Sequence, residues 1–126
     1  MWIGETLLTN DSMSGVTYYT PWFPREGNGA TFVCEVLQTG DVETLQVTVE
    51  TKNADEDDSA AVAVGTAASI TLTADTRTAF ERGGGLAGAG FKELVRLNYT
   101  VVQSSLEDAR LGFVHCRMQN PSWLAD

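Results

Sequence analysis

Residues 94–101 read LVRLNYTV, and this stretch decides the fold class. Apolar side chains stand at every second position from Val95 to Val101, and polar side chains fill the positions between them. A strand sends successive side chains to opposite faces of a sheet, so a period of two predicts a half-buried β-strand. Residues 45–50, LQVTVE, repeat the alternation. Both stretches are predicted to lay one face on an apolar core.

Other segments rich in β-branched and aromatic residues extend this pattern. Residues 111–118 alternate again, and we predict that they form an antiparallel hairpin with residues 95–101 through the polar link 103–110. Residues 31–37 are apolar on both faces, which favours a central strand. Further strands are expected at residues 1–8, 16–19 and 69–73. Residues 76–82 and 91–97 could form short helices, but the β-branched and aromatic residues that continue them favour strands.

Turn-forming residues separate these runs at short intervals, and no window shows a helical period. We therefore predict an all-β chain, folded as an antiparallel β-sandwich or jelly roll of about eight strands. Residues 1–126 are expected to form one domain, because a chain of this length can bury a core without disulfides or metal. Residues 119–126 are expected to form a short docking tail.

The chain is acidic, with 17 Asp and Glu residues against 8 Lys and Arg residues and a formal net charge of -9. Phosphates of nucleic acids and anionic lipids repel such a chain, so we expect no nucleic-acid and no membrane partner. Residues 1–8 lack the features of a secretory signal, which favours synthesis in a cytoplasm. In that compartment Cys34 and Cys116 are expected to be buried free thiols, with a disulfide between them as the alternative.

Three features suggest catalysis or ligand binding, and each has a simpler interpretation. Glycines within residues 83–90 have the spacing of a dinucleotide-binding turn, but without a strand-to-helix setting they predict a flexible loop. The acidic run Asp55–Asp58 lacks the calcium-loop pattern and predicts a solvated turn, with calcium binding as the alternative. His115 and Cys116 are neighbours on a strand, so their side chains point to opposite faces. We expect no cofactor, no metal and no enzymatic activity.

Residues 18–25, YYTPWFPR, contain four aromatic residues and two prolines. Prolines interrupt ladder pairing, so these aromatics are expected on a rigid connection or a sheet edge. Either they cap one end of the core, or some are exposed and form a protein interface or a platform for sugar rings. The similar tail segment 120–124 is expected to dock on the same sandwich or on a neighbouring subunit. The candidate interface residues are Tyr18, Tyr19, Trp22, Phe23, Arg25, Pro121, Trp123 and Leu124.

Residues 19–25, the strand at 94–101 and the C-terminal residues 114–123 resemble small all-β structural proteins of tailed bacteriophages. That group includes the head decoration or cement proteins, which bind the outside of a capsid shell. The resemblance implies a sandwich or jelly roll that oligomerises, commonly as a trimer, and stabilises the shell without catalysis. It also implies partners, namely the major capsid protein or other virion subunits, and a location in the virion after synthesis in the host cytoplasm.

The sequence thus leads to two hypotheses of different classes. The first is a non-enzymatic phage virion structural protein of the decoration or cement type. The alternative is a carbohydrate-binding β-sandwich module that uses Trp22, Tyr19 and a carboxylate.

Overall fold

A computed structural model of the chain describes residues 4–10, 17–40, 44–71, 76–83, 90–102 and 112–124. The described residues form two antiparallel sheets that pack against each other, so the prediction of an all-β sandwich is confirmed. No helix in these ranges is long and apolar enough to cross a membrane. The strands are β1 (Gly4–Asn10), β2 (Thr17–Tyr19), β3 (Phe23–Pro24), β4 (Gly29–Gly40), β5 (Thr44–Lys52), β6 (Val62–Ala63), β7 (Ala68–Thr71), β8 (Arg77–Gly83), β9 (Leu94–Val102), β10 (Gly112–Met118) and β11 (Ser122–Leu124).

The first sheet is built around β4, and the second around β5 and β9. In the first sheet β10 lies between β1 and β4, while β8 and β11 also pair with β4. In the second sheet the order is β2, β9, β5 and β6, with β3 paired to β9 and β7 paired to β5. The expected central position of the strand at 31–37 is confirmed. The count exceeds eight because β2, β3, β6 and β11 are only two or three residues long.

The predicted hairpin between residues 95–101 and 111–118 is wrong. These segments are β9 and β10, and they lie in opposite sheets. β9 pairs with β5, where Arg96 stands opposite Glu50, whereas β10 pairs with β4, where Arg117 stands opposite Glu35. Alternation along a strand shows which face is buried but does not show which strand lies beside it. Residues 103–111, which connect the two strands, lie outside the described ranges.

The core lies between the sheets and takes alternate residues from their long strands. On β9, Val95, Leu97 and Val101 are fully buried, as the period of two predicted. From the first sheet, Phe32 on β4 is fully buried and stacks on Phe80 of β8, with ring centroids 5.5 Å apart. Burial of these apolar side chains is the main source of the free energy that stabilises the sandwich.

Both cysteines are buried free thiols in this core, as the sequence predicted. The register of β4 and β10 places Cys34 opposite Met118 and Cys116 opposite Val36, so the cysteines are diagonal neighbours. A hydrogen bond between the two thiols, together with burial, raises the pKa of Cys34 well above its usual range. Cys34 is therefore an unreactive packing residue at neutral pH, because the thiolate is the reactive form.

Gly83 ends β8 in a backbone conformation that favours glycine. Its φ angle is 75°, and a Cβ atom at this position would lie 2.7 Å from the carbonyl oxygen of Asn28. Gly83 is also buried, so the start of the predicted loop 83–90 belongs to the sandwich. Gly90 is exposed, and residues 84–89 lie outside the described ranges.

Candidate functional site

The aromatic segment 18–25 divides its side chains between the core and the surface. Tyr19 is the most exposed large hydrophobic residue among those described, at 56%. Phe23 is only 3% exposed and belongs to the core, and Tyr18 is partly buried against it. Of the two positions predicted for these aromatics, Phe23 therefore takes the one that caps the core. The pairing of β3 with β9 at Val95 places Phe23 in the sandwich, where its ring makes an edge-type contact with Trp123.

Tyr19 and Trp22 both stack with one arginine from the neighbouring strand. The guanidinium carbon of Arg96 lies 4.2 Å from the ring centroid of Tyr19 and 4.5 Å from that of Trp22. Lys52 Nζ lies 5.0 Å from the same Trp22 ring. Cations over aromatic faces are attracted by the ring quadrupole, and more strongly where water is excluded. The side chain of Arg96 is 13% exposed, so these contacts are largely shielded from solvent.

Two carboxylates complete this group. Glu50 Oε1 accepts a hydrogen bond from Arg96 Nε at 3.0 Å. Asp58 Oδ1 lies 2.8 Å from Lys52 Nζ and accepts a hydrogen bond from the Trp22 indole N–H at 3.0 Å. Asp58 Oδ2 lies 3.5 Å from Arg96 Nη1. We call this group the aromatic–arginine cluster, and its members are Tyr19, Trp22, Glu50, Lys52, Asp58 and Arg96.

The turn that carries Asp58 is fixed by Lys52. This lysine ends β5, and its Nζ also donates to the carbonyl oxygen of Glu56 at 2.9 Å. The Glu56 carboxylate accepts the backbone N–H of Asn53 at 2.7 Å and lies 3.8 Å from Lys92 Nζ. The turn is exposed at Asp55, Asp57 and Asp58, as predicted, and the Asp58 carboxylate in addition contacts two cations and an indole N–H. Among the described residues, no group of three or more His, Cys, Asp or Glu side chains is placed to hold a metal ion.

The Asp58 carboxylate makes the stability of the folded protein depend on pH. The hydrogen bond from Lys52 holds the pKa of Asp58 below its usual value, and the charge of Lys52 adds to that effect. A lowered pKa in the folded state contributes stability above the unfolded value of about 4, and this contribution is lost as pH falls through the folded value. We expect Asp58→Asn to lower the melting temperature at pH 7, and the difference from wild type to shrink as pH falls below about 4.

Thermal unfolding followed by circular dichroism from pH 7 to pH 3 measures this difference. The matched control is Asp57→Asn, one residue earlier in the same turn, whose carboxylate has no ion pair to a described residue. Its difference from wild type should stay small at every pH. An Asp58→Asn difference that stays constant across the range would contradict the assignment.

The C-terminal tail docks on its own sandwich. β11 pairs with the start of β4, with Trp123 opposite Ala30, and the backbone N–H of Asn28 donates to the carbonyl oxygen of Leu124 at 3.2 Å. Trp123 is half-buried, and its ring meets the edges of Phe23 and Phe91 at centroid distances of 6.4 and 5.7 Å. Of the two predicted docking sites for the tail, the structure shows the same sandwich. Residues 125–126 lie outside the described ranges.

A groove of about 200 Å³ lies between this tail and the segment after β3. We call it the tail groove, and it is where the two predicted aromatic segments meet. Arg25 does not line the groove, and its Nη1 donates instead to the carbonyl oxygen of Phe91 at 2.9 Å. The groove is lined by Phe23, Pro24, Glu26, Asn120, Pro121 and Trp123.

The structure therefore separates the predicted candidates into two groups. Tyr19 and Trp22 join the aromatic–arginine cluster, while Phe23, Pro121 and Trp123 line the tail groove. Leu124 is 37% exposed at the end of β11. Sequence reasoning missed Glu50, Lys52 and Arg96. Their signal was a charge at a polar position of a strand, which becomes meaningful only once the register of β5 against β9 is known.

Comparison with known proteins gives no match: no family model, no curated protein and no solved structure is similar to this chain.

Proposed function

We propose that this chain is a non-enzymatic virion structural protein of a tailed bacteriophage, a capsid decoration or cement protein. In this proposal it forms a trimer that binds the major capsid protein or another virion subunit, and the aromatic–arginine cluster joins neighbouring copies. The observation that carries the proposal is Tyr19, which is 56% exposed yet stacked at 4.2 Å on Arg96, a partly buried arginine whose side chain is 13% exposed.

The composition of the cluster suits a protein interface. Tyr, Trp and Arg are the residues that most often dominate binding energy, and they do so from well-packed central positions. Arg96 is held by two rings and two carboxylates. Because these contacts already fix the cluster, little side-chain entropy is lost on binding.

The charge of the cluster also favours burial by a partner. Lys52 and Arg96 are paired with Glu50 and Asp58, so the two positive and two negative groups cancel. A partner that covers Tyr19 would therefore bury no unpaired charge, which is the costly outcome at an interface. The remaining net charge of the chain lies elsewhere and keeps its other surfaces solvated.

Purified phage or prophage particles from the source strain test the location. We expect mass spectrometry to find the chain in gradient-purified particles, and added protein to co-sediment with particles that lack it. Tyr19→Ala should weaken co-sedimentation by at least about tenfold, because losing a hot-spot tyrosine worth about 2 kcal/mol or more between copies breaks up the trimer and with it the multivalent binding to the shell.

The matched control for this test is Val62→Ala, which truncates another exposed hydrophobic residue, 42% exposed on β6. It should co-sediment like wild type. The proposal is overturned if the chain is absent from particles and does not bind them, or if Tyr19→Ala binds as well as Val62→Ala.

A further inference from the structure

We propose that the tail groove binds one neutral pyranose ring of a glycan. This site is separate from the aromatic–arginine cluster, and the inference does not depend on the virion role. It rests on the size of the groove, its polar groups and its apolar walls.

The size of the groove fits one ring. Its volume is about 200 Å³, below the range of about 300–1,000 Å³ that is typical of pockets for drug-sized ligands. It is bounded by the segment after β3 on one side and by the tail on the other. Such a groove holds a single sugar unit, with the rest of the glycan outside.

The polar groups of the groove match sugar hydroxyls. Glu26 and Asn120 both line it, and both residues are exposed. Neither side chain makes a hydrogen bond or ion pair to any residue in the described ranges, so both are available to a ligand. An ionised carboxylate only accepts, whereas an amide both donates and accepts. A sugar hydroxyl also donates and accepts, so it can donate to Glu26 while accepting from Asn120.

The apolar walls match the C–H face of a sugar. Trp123 is fixed by edge contacts with Phe23 and Phe91, and Pro24 and Pro121 add two rigid walls. The indole ring of tryptophan combines a large apolar surface with a polar N–H at its edge. A rigid wall of this kind keeps the entropy cost of binding low.

The alternative sugar site at Trp22 is weaker. The Trp22 ring already contacts the Arg96 guanidinium at 4.5 Å and Lys52 Nζ at 5.0 Å, and its indole N–H donates a hydrogen bond to Asp58. A sugar ring would have to compete with these contacts. The geometry therefore favours Trp123 over Trp22 as the ring that binds the sugar.

A glycan also fits the groove better than a peptide does. A proline-rich peptide presents mainly backbone carbonyl groups, which can accept from the Asn120 amide but leave the Glu26 carboxylate without a donor, whereas sugar hydroxyls satisfy both groups. The net charge of -9 disfavours anionic sugars, so the proposed ligand is neutral.

Two-dimensional NMR of the ¹⁵N-labelled chain tests the site, with the indole N–H signal of Trp123 as the reporter. The probes are neutral oligosaccharides ending in glucose, galactose, mannose or N-acetylglucosamine. We expect at least one to shift the Trp123 signal in a saturable way. Glu26→Ala and Asn120→Ala should each weaken binding at least tenfold. Both residues are exposed, so both variants should unfold at the wild-type temperature.

The controls are Asp55→Ala, which removes an exposed carboxylate that does not line the groove, and Tyr19→Ala. Both should bind the sugar like wild type, and this separates failure here from failure of the virion proposal. The inference is overturned if none of the oligosaccharides shifts the signal, or if the Glu26 and Asn120 variants bind like wild type. It is also overturned if a proline-rich peptide produces the shift and the sugars do not.

Discussion

Replacing Phe32 by alanine is expected to lower the free energy of unfolding by about 3–5 kcal/mol, the usual cost of truncating a buried phenylalanine. Phe32 is 0% exposed on the central strand of the first sheet. Its ring stacks on Phe80 at 5.5 Å, so the substitution removes apolar contacts and leaves a cavity between the sheets. Urea denaturation followed by tryptophan fluorescence gives the difference.

The control for Phe32→Ala is Val62→Ala, in which an exposed residue is truncated. Its free energy of unfolding should stay within about 0.5 kcal/mol of wild type. Phe32→Leu should fall between the two, because most of the volume is kept. A loss below about 1 kcal/mol for Phe32→Ala would mean that the sheets do not pack through this residue.

Arg96→Ala is expected to cost about 2–4 kcal/mol, somewhat less than the removal of one partner from a fully buried ion pair. The substitution leaves the Glu50 carboxylate, only 17% exposed, without its cation. It also removes the group that stacks with Tyr19 and Trp22. Urea denaturation followed by tryptophan fluorescence measures this loss as well. Trp22, which loses its contact with the guanidinium, should become more mobile on the surface.

Lys92→Ala is the matched control for this cation. Lys92 lies 3.8 Å from Glu56 with a side chain that is 36% exposed, so its loss should cost less than about 1 kcal/mol. Arg96→Lys should lie between these variants, because lysine keeps the charge but loses the planar fork. Equal costs for Arg96→Ala and Lys92→Ala would contradict the central role of Arg96.

The fold class could be predicted because the alternation in β5 and β9 directly reports burial. Leu45, Val47 and Val49 are buried, as are Val95 and Leu97. Alternation does not show which strand pairs with which. β9 and β10 follow each other along the chain but lie in different sheets, because the contacts that pair them with β5 and β4 come from distant segments.

The candidate site could be predicted only in part, for a related reason. The aromatic segment identified Tyr19 and Trp22, but it could not show that Trp22 turns outwards while the next residue, Phe23, turns into the core. It also could not show that Arg96 stacks on these rings. Arg96 lies 77 residues after Tyr19 in the sequence, and the neighbouring hydrogen bond between Thr20 and Leu97 spans the same separation. Charge partners of this kind depend on strand register, which follows from the whole fold.

The most direct test of the proposed role is the mass of the purified chain in solution, measured by light scattering after size-exclusion chromatography. If the Tyr19 surface joins copies of the chain, wild type should have the mass of three chains of 13.6 kDa each. Tyr19→Ala should shift towards the mass of one chain, while Val62→Ala should remain a trimer. A wild-type chain that stays at 13.6 kDa at every concentration, or a Tyr19→Ala variant that is still a trimer, would contradict the account.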